Sequence, residues 1–132
     1  MKTDEVIQII QDVLTRFPEI KIVTLFGSAA SGRLKPNSDI DIAVAAQEKL
    51  SFDQKFDIMI ALTNTLIREI DLIDLQAVAG PILEEALCTG IVIKKTDLFA
   101  KLIQKMWYNQ ADMMPLTRMI IKKRCQRFVE HE

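Results

Sequence analysis

Residues 24–44 read TLFGSAASGRLKPNSDIDIAV. With Val23 before it, the stretch begins as a short apolar run, Val23-Thr24-Leu25-Phe26, which enters Gly27-Ser28. Residues 27–38 are rich in Gly, Ser, Pro and Asn, the composition of a loop. From Asp39 to Ala45 acid alternates with aliphatic, Asp39 and Asp41 against Ile40 and Ile42, which predicts a strand with two unlike faces. In such a strand residues i and i+2 share a face, with Cα atoms roughly 6.5–7 Å apart. Two carboxylates held that close repel one another and favour a neutralising cation. Hard oxygen donors without His or Cys suit Mg²⁺ or Mn²⁺.

The upstream end of the loop has a complementary chemistry. Glycine lets backbone approach a ligand closely, and amide groups in such a turn form an anion-binding concavity. Ser28 adds a hydroxyl donor for a phosphate oxygen, and the loop returns through Arg33, Lys35, Pro36, Asn37 and Ser38 into the acid pair. A phosphate cradle and a carboxylate pair thus stand at the ends of two strands joined by one loop.

Working outward, Val6, Ile9, Ile10, Val13, Leu14 and Phe17 recur at helical spacing, with Thr3 placed to cap them and Pro18 to end the run. Ser51 can cap a second helix, whose apolar stripe is Phe52, Phe56, Met59, Ile60, Leu62, Thr63, Leu66 and Ile67. Glu69 to Ala77 reads as a third strand, Pro81 to Gly90 as a short helix, and Ile91 to Ile93 as a brief edge strand. From Asp97 onward the pattern is helical, with a break before Pro115. The expected fold is α/β (α+β): a small mixed β-sheet flanked by helices, with a core domain over 1–96 and a C-terminal helical extension over 97–132 packed on the same domain.

Composition narrows the function classes. With 49% hydrophobic and 27% charged residues the chain has the make-up of a folded domain. A formal net charge of −1 supplies no global field toward nucleic acid or anionic lipid, so neither stable nucleic-acid binding nor membrane association is expected. One His and two Cys are too few for structural zinc, and Cys88 and Cys125 read as reduced thiols. The first residues lack an apolar signal region and no apolar run approaches a membrane span, so the expected location is cytoplasmic.

The pattern Gly27-Ser28-x10-Asp39-x-Asp41 resembles the signature of the DNA polymerase β-type nucleotidyltransferase superfamily, and residues 24–44 resemble its minimal nucleotidyltransferase (MNT) branch. The likeness spans about residues 4–95 and includes Gly32 and Ser38 as well as both acids. It implies a polymerase β-like core, a metal site at Asp39 and Asp41 and a third carboxylate on a neighbouring strand. Strand parity leaves Asp71 and Asp74 as candidates on opposite faces. The family context, an aliphatic-Asp-Leu-aliphatic run after the second helix, matches Ile70-Asp71-Leu72-Ile73 and points to Asp71. Gly27, Ser28, Arg33 and Ser38 would hold the nucleotide. One departure is Ala29, where close relatives carry Arg; Arg33 or Lys35 is left to supply that charge.

A lone catalytic domain of this kind resembles the antitoxin of HEPN–MNT toxin–antitoxin pairs. That implies Mg²⁺- or Mn²⁺-dependent transfer of AMP from ATP to a tyrosine of a partner HEPN ribonuclease toxin, silencing it. Two other readings remain: nucleotidyl transfer to a small hydroxylated molecule such as an antibiotic, and neutralisation of the toxin by binding alone. Apolar stripes in the tail, including Met106, Met113, Met114, Leu116, Met119 and Ile120, suit adaptable partner contact, and Lys122, Lys123, Arg124 and Arg127 form a basic end.

Overall fold

Alternation along the two strands around the loop decides which helices cover which side chains. In the computed structural model, which describes residues 2–30, 32, 38–78 and 80–109, β1 (Ile22–Phe26) and β2 (Ile40–Ala45) pair antiparallel. β3 (Ile70–Asp74) joins β2 in parallel, and β4 (Ile91–Lys94) joins β1 antiparallel. The sheet is mixed and four-stranded, in the order β3-β2-β1-β4. Helices α1 (Thr3–Leu14), α2 (Phe52–Leu66), α3 (Pro81–Cys88) and α4 (Asp97–Asn109) complete the described chain.

Two apolar cores result, one on each face of the sheet. Val23 and Leu25 of β1, Ile40, Ile42 and Val44 of β2 and Leu72 of β3 meet Val6, Ile10 and Val13 of α1 and Ile58, Leu62 and Leu66 of α2. The intervening residues Ile22, Phe26, Ala43 and Ala45 meet Leu83 and Leu87 of α3 and Leu98, Phe99, Leu102, Ile103 and Met106 of α4. Each fully buried Leu, Ile or Phe contributes about 1.5–3 kcal/mol, so both layers hold the sheet. Odd-numbered Asp39 and Asp41 take the parity of Ala43, which is the face covered by α3 and α4.

Several local expectations are met. Ser51 caps α2 through a complete capping box, its hydroxyl accepting from the Gln54 amide at 3.1 Å while the Gln54 side chain accepts from the Ser51 amide at 2.9 Å. Pro81 opens α3, where its missing N–H costs nothing.

Others shift. Thr3 is the first helical residue of α1 rather than its cap; the cap position is Lys2, which makes no side-chain cap bond. β3 stops at Asp74 instead of reaching Ala77, because the Asp74 carboxylate accepts from the Gln76 amide and turns the chain. On α2 the buried spine is Ile58, Leu62 and Leu66, while Phe52, Phe56, Ile60 and Ile67 are exposed. The apolar arc of that helix is wider than the surface it packs on. Cys88 is buried in the second core and is not a free thiol, against the reading from composition. Beyond residue 109 the tail stripe and the basic end lie outside the described residues. Among the described residues no helix is long and apolar enough to cross a membrane.

Candidate active site

At the end of β1 the chain enters a turn over residues 27–30, and Gly27 takes φ +71°, a left-handed conformation that favours glycine. The residue before it, Phe26, is the register partner of Asp41. A Cβ at Gly27 would fall well inside contact distance of an Asp41 carboxylate oxygen. The glycine therefore clears space for the acid as well as opening the turn, a role invisible in the spacing. Ser28 follows, half-buried. Ala29 is fully buried in the first core, and its carbonyl accepts from the Thr3 hydroxyl at 2.8 Å. The position that carries Arg in the resembled sequences is thus a core methyl here, and Thr3 ties the start of α1 to the turn.

The parallel pairing of β2 with β3 places Asp41 directly beside Asp71. The two acids are neighbours on one face of the sheet, and Asp41 titrates above its ordinary value. Burial is the main cause, followed by the Asp71 charge, the hydrogen bond with Asp71, and the charges of Asp39 and Glu85. Asp39 is exposed, one residue before β2. Its two flanking peptide groups are both held by the α2–β3 connection. Arg68 Nη2 donates to the Ser38 carbonyl at 2.8 Å, and the Ile40 amide donates to the Glu69 carbonyl at 3.0 Å.

Asp74 belongs elsewhere. It lies on the opposite face, only 4% exposed, and its carboxylate accepts from the Leu50 amide at 2.8 Å and the Gln76 amide at 2.9 Å. Those bonds engage it structurally, whereas Asp71 is the acid that lies beside Asp41.

Two contributors escape a reading of the sequence. Glu85 on α3 is exposed yet acts on Asp41, and Arg68 reaches Ser38 across 30 residues. The only signal for the first is Gly90, which lets the end of α3 lie against β1: a Cβ there would stand 2.8 Å from the Leu25 carbonyl oxygen. Nothing in the spacing signals Arg68. Arg33 and Lys35 lie outside the described residues.

The donor set is of carboxylate oxygens alone, and every cause acting on Asp41 penalises its negative charge, which is the environment a divalent cation would relieve. Among the described residues no three acids converge as a ready-made ligand group. Asp41 and Asp71 are register partners, and Asp39 stands near enough to act on Asp41 electrostatically. The donor chemistry therefore fits a hard cation, which Asp39, Asp41 and Asp71 would hold.

A family model described as "Polymerase beta, Nucleotidyltransferase" matches residues 8–98. The chain is similar to protein adenylyltransferase MntA of Shewanella oneidensis, at 28% identity over 90 residues. That match covers 68% of this chain and 63% of MntA, so it spans less than two thirds of the relative's length. Among solved structures it is similar to a crystal structure of a toxin–antitoxin with AMP-PNP, at 29% identity and TM-score 0.66, covering 87% of this chain and 98% of that one. It is also similar to a chain in the structure of tri-AMPylated Shewanella oneidensis HEPN toxin in complex with MNT antitoxin. That likeness has 26% identity and TM-score 0.55, over 90% of this chain and 95% of the other.

Proposed function

The chain belongs to the polymerase β nucleotidyltransferase family, and from that premise we propose that it is a metal-dependent antitoxin transferring AMP from ATP to a tyrosine of a partner HEPN ribonuclease, which is thereby inactivated. The observation that carries the reading is the placement of Asp41 beside Asp71, with Asp39 on the same face and the Gly27-Ser28 turn at the adjoining strand end. The likeness to an adenylyltransferase, and to complexes holding an ATP analogue or an AMPylated HEPN toxin, supports the choice of nucleotide and acceptor.

The chemistry follows from charge. ATP brings several negative charges, so its phosphates need donors and its acceptor needs a base. The Gly27-Ser28 turn orients the β- and γ-phosphates through backbone amides and the Ser28 hydroxyl. The tyrosine oxygen bonds the α-phosphorus, the bond from that phosphorus to the oxygen bridging to the β-phosphate breaks, and pyrophosphate leaves. Asp71, more exposed than its neighbour Asp41, takes the phenolic proton. Mg²⁺ or Mn²⁺ bound by Asp39, Asp41 and Asp71 would neutralise the accumulated charge and polarise the phosphate oxygens.

The test is incubation of the protein with ATP, Mg²⁺ and its cognate HEPN protein, followed by intact-mass measurement. The expected outcome is a gain of one or more AMP units on the partner, lost in Asp39→Ala/Asp41→Ala. If that double variant neutralised the ribonuclease as well as wild type does, contact alone would suffice and the enzymatic reading would fall.

A further inference from the structure

Asp39 has no ladder position of its own. β2 begins one residue later, at Ile40. Its orientation depends on the two peptide groups that flank its Cα. One contains the Ser38 carbonyl, held by the Arg68 guanidinium at 2.8 Å; the other contains the Ile40 amide, held by the Glu69 carbonyl at 3.0 Å. Pinning both planes fixes φ and ψ of the residue between them. Of the two bonds, the second belongs to backbone and would form with any side chains at 69 and 40. The first depends on one side chain.

The chain also turns unusually to deliver that side chain. Ile67, the residue before Arg68, ends α2 with φ 53° and ψ 44° and is 85% exposed. A β-branched residue in the left-handed region is a genuine outlier, held there by the surrounding structure. The turn brings residue 68 back against the start of β2, where the guanidinium is half-buried.

We propose that Arg68 is a positioning residue for the metal site: by holding the Ser38 carbonyl it aims the Asp39 carboxylate at the Asp41–Asp71 pair. The inference rests on the functional reading above, since it takes those three acids as the ligands. Arg68 touches no reacting atom, and it works through hydrogen-bond geometry. Its partner is a backbone carbonyl, so a shorter neutral donor preserves part of the effect and an apolar side chain none of it.

The experiment is a Mn²⁺ titration of the full chain, without ATP or partner, followed by calorimetry or electron paramagnetic resonance. It covers wild type, Arg68→Met, Arg68→Gln, Asp39→Asn and the double variant Asp39→Asn/Arg68→Met, with a thermal melt of each ion-free protein. Loss of an outer partner of a ligand costs roughly 10–100-fold in metal affinity, so Arg68→Met is expected to weaken Mn²⁺ binding about tenfold. Arg68→Gln, which keeps an N–H donor, is expected to recover part of it. In an Asp39→Asn background Arg68→Met should add no further loss, because the two act as one unit. Affinity in Arg68→Met within twofold of wild type, or a loss that adds fully to that of Asp39→Asn, overturns the inference while leaving the functional reading standing. Should Arg68→Met not fold, Arg68→Ala takes its place, and wild-type affinity there overturns the inference equally. A wild-type protein that binds no Mn²⁺ overturns both.

Discussion

Asp41 and Asp71 stand side by side on parallel strands, as register partners on the same face of the sheet. Strand register alone brings them together. The pair is a cost to the ion-free fold, because burial and neighbouring acids all raise the Asp41 titration point above 3.8. Between that value and the raised folded one, the native state binds more protons than the unfolded state, so stability falls as pH rises through this window. The penalty is fully present above the folded value and absent below the unfolded one.

Ion-free Asp41→Asn is therefore expected to melt above wild type at pH 7, by roughly 1–4 °C. The gap should close as pH is lowered toward 4. Adding Mg²⁺ at pH 7 should raise the wild-type melting temperature and leave the variant's nearly unchanged, since only an ion that binds the native state stabilises it. Thermal melts at two pH values with and without Mg²⁺ check all three statements; a variant that melts lower at pH 7 would contradict them.

Gly27→Ala meets two obstacles at once, a positive φ and the Asp41 carboxylate. It is expected to destabilise the protein by about 1–3 kcal/mol. AMP transfer should fall about a hundredfold through displacement of Asp41. A urea melt and the transfer assay separate the two effects.

Asp71 and Asp74 are three residues apart and should behave as opposites. Asp74→Ala strands the buried Leu50 amide and is expected to cost about 2–4 kcal/mol, with transfer retained below its melting temperature. Asp71→Ala should leave the melt close to wild type and lower transfer by roughly 10²–10⁴-fold. Exchange of these two outcomes would move the third acid to Asp74.

Thr3→Val removes the bond from α1 to the Ala29 carbonyl. The expected loss is about 0.5–1.5 kcal/mol of stability. The turn it steadies is the one assigned to the phosphates, so the KM for ATP should rise severalfold while kcat changes less. Steady-state kinetics at varied ATP measures the split.

The order of elements, the mixed α/β class and the acids at 39 and 41 were legible in the chain because each is a local pattern. Helical and strand periodicities, a glycine-rich loop and the Ser51 capping box extend over a few residues and survive in any context. The choice between Asp71 and Asp74 was only half legible. Parity showed that they face opposite ways, but the face of the sheet that holds Asp41 is set by which helices cover it. Tertiary structure alone decided that Asp71 lies level with Asp41, that Gly27 vacates the space Asp41 occupies, and that Ala29 points into the core rather than toward a nucleotide. It also brought in Glu85 and Arg68, which no spacing relates to the motif. The reason is the same throughout: a side chain's neighbours within one element follow from its period, whereas its neighbours across elements follow from register and packing, which the motif does not encode.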